Sequence, residues 1–105
     1  MNTEPDQGYQ RFKDFYPYYL SEHQNINCRR LHFIGSLLVL TVLLSTFISS
    51  NLWLLFALPI TGYGFAWVGH FCFEKNKPAT FKYPLYSLIG DWMMLIDILR
   101  GRIKI

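Results

Sequence analysis

The stretch FIGSLLVLTVLLSTFISSNLWLLFALPITGYGFAWVG, residues Phe33 to Gly69, contains no Lys, Arg, Asp, Glu or His. One bilayer-crossing helix needs about 20 apolar residues, so the run is long enough for two. Its only polar break is Ser49-Ser50-Asn51, a tight turn without charge. The rest of the composition agrees. Of the 105 residues, 51% are hydrophobic and only 16% charged, whereas a soluble domain carries about 25% charged residues. The expected fold is therefore an all-α membrane protein, with one integral membrane domain over residues 1–105.

Charge outside the run sets an orientation. Arg29 and Arg30 precede the first span, Lys75, Lys77 and Lys82 follow the second, and the connecting turn has none. The positive-inside rule places both ends of such a hairpin in the cytoplasm. The net charge of +3 is accounted for by these flanking residues, so it reads as topology and not as a nucleic-acid surface. MNTEPDQGYQRF at the start has no basic segment followed by an apolar core, so no cleavable leader is expected. Cys28 and Cys72 fall on the cytoplasmic side and are expected to be reduced.

Four segments follow. Residues 1–27 form an interfacial helix and turn, in which Tyr9, Phe12, Tyr16 and Tyr19 recur at helical spacing. Pro17 there is expected to open a fresh helical turn, and Tyr16, Tyr18 and Tyr19 to anchor at headgroup level. Span one covers 28–49, with Asn27 as its cap. Span two covers 52–76, kinked at Pro59 and ended by Lys77-Pro78. A third amphipathic or membrane helix occupies 83–99, and its Asp91 and Asp97 make an interfacial position a competitor to a third crossing. Arg100, Arg102 and Lys104 favour a cytoplasmic C-terminus.

The chain has three histidines, His23, His32 and His70. Folding the two spans at Asn51 brings His32 and His70 to the same depth, because they lie equally far from it. His23 precedes span one by a short turn and can reach that level. Gly62, Ala66, Gly69 and His70 share one side of span two, and His32, Gly35, Ser36 and Val39 one side of span one. Small residues at such spacing allow close helix approach, which turns both histidines into the seam. Glu74 lies one turn beyond His70, so His23, His32, His70 and Glu74 form a candidate ligand set for Fe(II), Zn(II) or Mn(II). The plainer alternative is a set of snorkelling polar residues at a helix end. Cys28, one turn before His32, would also permit a Cys/His zinc site. Asp91 is either a buried acid behind the ligands or part of a polar helix face.

Three motifs carry a resemblance: Leu20-x-x-His23; Asn27-x-Arg29-Arg30-Leu31-His32 with Gly35 after it; and Gly69-His70-x-x-x-Glu74-x-x-x-Pro78-Ala79. On these the chain resembles the small membrane proteins related to the eukaryotic 2-hydroxy-palmitic acid dioxygenase, a family named for the metabolism of phytosphingosine to odd-numbered fatty acids. It looks like a short branch ending in SLIGDWMMLIDILRGRIKI, where the characterised type is longer with additional spans. The resemblance implies a non-haem enzyme using Fe(2+) and dioxygen to shorten a 2-hydroxy fatty acid by one carbon. His23, His32 and His70 would be the metal ligands and Glu74 a fourth, with Arg29 or Arg30 available to the substrate carboxylate. The implied partners are the lipid bilayer, a 2-hydroxy fatty acid and dioxygen, and an oligomer is open. The membrane would be a bacterial inner membrane or the endoplasmic reticulum, with the metal on its cytoplasmic side. Two rival functions are a non-catalytic protein binding lipid or a partner helix through the glycine seam, and a zinc-dependent lipid hydrolase.

Overall fold

The computed structural model describes residue 5 and residues 7–105, so part of the segment read for a leader lies outside it. Among the described residues the structure is entirely helical. Helix α1 is Phe12–Ser21, α2 is Ile26–Ser49, α3 is the continuous rod Leu52–Glu74 and α4 is Pro84–Leu99. A short 3-10 turn, Ala79–Phe81, precedes α4.

Helix α2 starts at Asn25, not at Asn27. The Asn25 side chain accepts hydrogen bonds from the backbone N–H groups of Asn27 and Cys28 at 2.8 and 3.4 Å. Two of the four N–H groups that open any helix are thereby satisfied. At the other end Ser50 takes a left-handed conformation, φ 56°, and reverses the chain. Asn51 then caps α3 by accepting from the Trp53 N–H at 3.1 Å. The uncharged break is thus a αL residue followed by an Asx cap.

Helices α2 and α3 are both long and apolar enough to cross a membrane. They run antiparallel and touch along the predicted small-residue seam. A side chain at Gly35 would put its Cβ 2.8 Å from the Thr61 carbonyl oxygen, and one at Gly69 would sit 3.0 Å from Cys28 Sγ. The backbones approach this closely only because both positions lack a side chain. The outer faces are bare: Phe47, Ile48, Leu52, Trp53 and Phe56 are all at least 70% exposed.

Irregularity is confined to α3. It opens as 3-10 helix over Leu52–Phe56, is α-helical through Pro59, and turns π-helical over Ile60–Gly64 and Gly69–Glu74. Pro59 has no N–H to give, and the expected disturbance there takes the form of 3-10 helix before it and a π-helical turn after it. The rod ends at Glu74, because Lys75 is left-handed at φ 61°; the stop comes before Lys77-Pro78.

Helix α1 departs from expectation. It runs unbroken through Pro17, whose ring sits on the exposed side while the aromatic side is held by packing. Phe15 and Tyr19 are completely buried, forming a core with Met94 of α4 and Ala79, flanked by Tyr9, Phe12, Tyr83 and Tyr86. Tyr19 is therefore a core residue, while Tyr16 and Tyr18 are half-buried at the edge of that core. The buried Tyr19 donates to Asp91 at 2.5 Å and the half-buried Tyr16 to Asp97 at 2.6 Å, so each hydroxyl meets a partner. Asp97 also turns the chain after α4, its carbonyl accepting from Arg102 and Ile103. At 16 residues α4 is about 24 Å long, too short for a bilayer core of about 30 Å.

Candidate metal centre

The turn between α1 and α2, the first turns of α2 and the last turns of α3 meet at one end of the helix pair. His23, Cys28, His32 and His70 meet there, each offering one ligating atom within 4.8 Å of all the others. This is close to the spacing of donors around one ion with bonds of about 2 Å. Every one of the four is at most 5% exposed. His23 and His32 ring centroids are 4.4 Å apart, His23 and His70 4.4 Å, and His32 and His70 5.0 Å.

Each ring is held from behind by an oxygen. His23 Nδ1 lies 2.6 Å from the Tyr19 carbonyl and His32 Nδ1 3.0 Å from the Cys28 carbonyl. His70 Nδ1 lies 2.7 Å from Asn76 Oδ1. The Asn76 amide is oriented by Glu22, since its Nδ2 donates to the Glu22 carbonyl and carboxylate at 3.1 and 2.9 Å. Carbonyl and amide oxygens only accept, so in all three rings the proton belongs on Nδ1 and the lone pair on Nε2. The Nε2 atoms of His23 and His32 are 3.1 Å apart. With the lone pairs on Nε2 these two atoms face each other as two imidazole ligands of one cation would. Metal-ligating histidines have this same backing.

The electrostatics agree. Burial, and then the neighbouring His32 and His70 rings, push His23 well below the usual histidine pKa, so it stays neutral and free to ligate. Its ring stacks on Tyr19 at 4.1 Å, 25° from parallel. Arg29 Nε donates to the His23 carbonyl at 2.7 Å and Arg29 Nη1 to the Lys104 carbonyl at 3.2 Å.

The structure thus brings together His23, His32 and His70 and adds Cys28, but leaves Glu74 outside. A Glu74 carboxylate oxygen accepts from the backbone N–H of Asn25, fastening the start of α2 to the end of α3. That N–H precedes the first turn of α2 and would otherwise be unmet. Arg29 is occupied by two carbonyls, and Arg30 is exposed. Asp91, offered as either a buried acid or a polar face, lies beside the centre: it lines a narrow pocket with His32, His70, Ala66 and Ser87. Burial pushes its carboxyl up to about 7 against the opposing pull of the Tyr19 hydrogen bond.

Sequence reasoning missed Asn76, Glu22 and the backing role of Tyr19. For Asn76 the available signal was an amide in the turn just past a ligand-bearing helix end; for Glu22, its place immediately before His23.

The donor set suits a soft or borderline divalent ion: three imidazoles and a thiol, all buried, with Cys28 Sγ 3.7 Å from His32 Nδ1. No curated protein and no solved structure matches the chain. The profile of one family does, that described as 2-hydroxy-palmitic acid dioxygenase Mpo1-like, over residues 9–103. That span includes every donor of the centre and every residue that backs one, and the chain belongs to this 2-hydroxy-palmitic acid dioxygenase Mpo1-like family.

Proposed function

We infer that the protein is an Fe(II)-dependent dioxygenase that shortens 2-hydroxy fatty acids by one carbon while embedded in a membrane. The observation that carries this reading is the set of three buried imidazoles that meet at one end of the helix pair, each with its Nδ1 against an oxygen. The family name supplies the substrate class and the reaction type. His23, His32 and His70 would hold the iron, which when bound supplies the activation of dioxygen.

The chain's own residues do the rest. Tyr19, the Cys28 carbonyl and Asn76 fix ring orientation, so the donors need little reorganisation on binding. Arg29 fixes the His23 turn. The seam at Gly35 and Gly69 closes the centre from water on one side, and the α1–α4 core closes it on the other. Glu74 holds the two helix starts and ends in register instead of serving the ion.

The exposed apolar faces of α2 and α3 support membrane insertion of this pair as a hairpin, since a surface of that extent in water would be an association hazard. Helices α1 and α4 then lie at the interface. With Arg29, Arg30, Lys75 and Lys77 at the same end as the centre, the positive-inside rule puts it on the cytoplasmic side. An interfacial centre suits an acyl substrate, whose chain stays in the bilayer as its head reaches the ion.

A second reading has one observation in its favour. Cys28 Sγ completes a four-donor set of the kind zinc occupies, which points to a zinc-dependent lipid hydrolase or a structural zinc. Metal analysis of protein purified without chelator decides between them. Iron, together with oxygen uptake on adding a 2-hydroxy fatty acid, supports the dioxygenase; zinc alone, with no oxygen uptake, overturns it.

A further inference from the structure

We propose that the apolar cavity between α2, α3 and α4 receives the substrate's alkyl chain, and that Asp91 at its inner end holds the 2-hydroxy head beside the three histidines. The assignment rests on the dioxygenase reading for the identity of the head, but the cavity itself does not.

The cavity has a volume of about 270 Å³ and is walled by Ser36 and Val39 of α2, Leu58, Pro59 and Gly62 of α3, and Leu88 and Trp92 of α4. An apolar cavity of about 150 Å³ already holds a benzene ring, and sites for drug-sized ligands begin at about 300 Å³. The space therefore fits part of one alkyl chain. Its width depends on small residues: a Cβ on Gly62 would meet nothing nearer than Val39 Cγ2 at 3.5 Å, so the void begins where that side chain is missing. The irregular backbone at Pro59 and the π-helical turn after it form the same wall.

Among the described residues Asp91 is the one carboxyl that lines this cavity, and the Tyr63 phenol lines it too. Asp91 and Tyr63 also line the narrow pocket that contains His32 and His70, so cavity and histidines lie in sequence along one path. The Tyr19 hydroxyl fixes one Asp91 oxygen and leaves the other to face a ligand. The Asp91 carboxyl oxygens can accept from the hydroxyl of a hydroxylated head. A plain fatty acid would leave the second oxygen of this half-buried carboxyl without the head's hydroxyl, and a site built to hydrogen-bond a hydroxyl discriminates against the analogue that lacks it.

The test uses the full chain in phosphatidylcholine nanodiscs without oxygen, irradiated with 2-hydroxypalmitate that carries a mid-chain diazirine. Cross-links should map to Ser36, Val39, Leu58 and Trp92, and either Gly62→Leu or Ser36→Leu should cut them by about tenfold with bound metal unchanged. Wild type should prefer the 2-hydroxy probe over the plain palmitate probe by about tenfold, the order of one hydrogen bond to a buried polar group. Asp91→Leu should abolish that preference and Asp91→Asn keep part of it. Cross-links confined to the outer faces around Phe47 and Trp53 overturn the cavity assignment. So does labelling that survives both filling substitutions. A preference unchanged in Asp91→Leu overturns the assignment of the head. Oxygen uptake with iron bound but no labelling in the cavity sinks this proposal alone. Labelling in the cavity without iron or oxygen uptake sinks the dioxygenase reading alone.

Discussion

The two ends of the α2–α3 pair are built from the same two helices but covered differently. At one end Cys28, His32, Gly69 and His70 are buried by the protein itself, under α1, α4 and the 75–83 turn. At the other, Phe47 is 85% exposed and Trp53 77%, and only a Ser-Ser-Asn turn joins the helices. The contrast shows where the chain spends its tertiary contacts. Apolar side chains at the turn can be covered by any apolar surroundings, since the hydrophobic effect is non-directional. Three imidazoles cannot be left to surroundings, because each needs a partner for Nδ1 at hydrogen-bond distance. Helices α1 and α4 are present at the end that has donors to orient.

Substitutions at the two ends should therefore differ in kind. The largest effect is expected from His70→Ala, which should lower metal affinity by more than about a hundredfold, beyond the usual cost of losing a backing residue. The protein should still enter membranes, since insertion depends on the summed transfer of two spans. Membrane fractionation beside metal analysis checks this, and loss of accumulation with normal metal content would make His70 structural. Asn76→Ala, which touches no ion, should cost about 10–100-fold in metal affinity by freeing the His70 ring. Competition with a graded chelator measures it, and an unchanged affinity would mean that His70 is oriented by packing alone.

At the middle of the seam, Gly35→Leu should destabilise by about 1–3 kcal/mol, the range for overpacking, because the added Cβ meets backbone at Thr61. Denaturation in detergent should show this as a shifted midpoint. Asp91 sharpens the comparison through pH. Its carboxyl is raised from 3.8 to about 7 in the folded protein, so between those values the folded state holds a proton that the unfolded chain has released. Stability contributed by this group is then present at low pH and lost as pH rises through about 7. Asp91→Asn, which cannot ionise, should flatten that decline; a decline of unchanged slope would place its origin elsewhere.

The smallest effect is expected at the turn. Phe47→Ala should leave metal affinity unchanged and move stability by about 0.5 kcal/mol or less, as for an exposed position. If it released metal as readily as Asn76→Ala does, the two ends would be one cooperative unit and the comparison would fail.

Much of this was legible in the residues. The uncharged run, its break at Ser49-Ser50-Asn51 and the equal distance of His32 and His70 from Asn51 are properties of order along the chain, and antiparallel helices convert order directly into depth. The small-residue seam was legible for the same reason, as a periodicity of 3.6. For Glu74, spacing places a carboxylate on a face but does not tell which donor will reach it, and one of its oxygens meets the N–H of Asn25. Tyr19 has the spacing of an interfacial anchor, and only its contacts with Met94 and Asp91 make it core. Apolar length and helical period are local quantities, decided by neighbours in sequence. His23 and His32 are backed by carbonyls four residues earlier, also a local relation; the Asn76 amide behind His70 is oriented by Glu22, 54 positions away, and only the packed tertiary structure could decide that, because a hydrogen bond needs partners within about 3 Å.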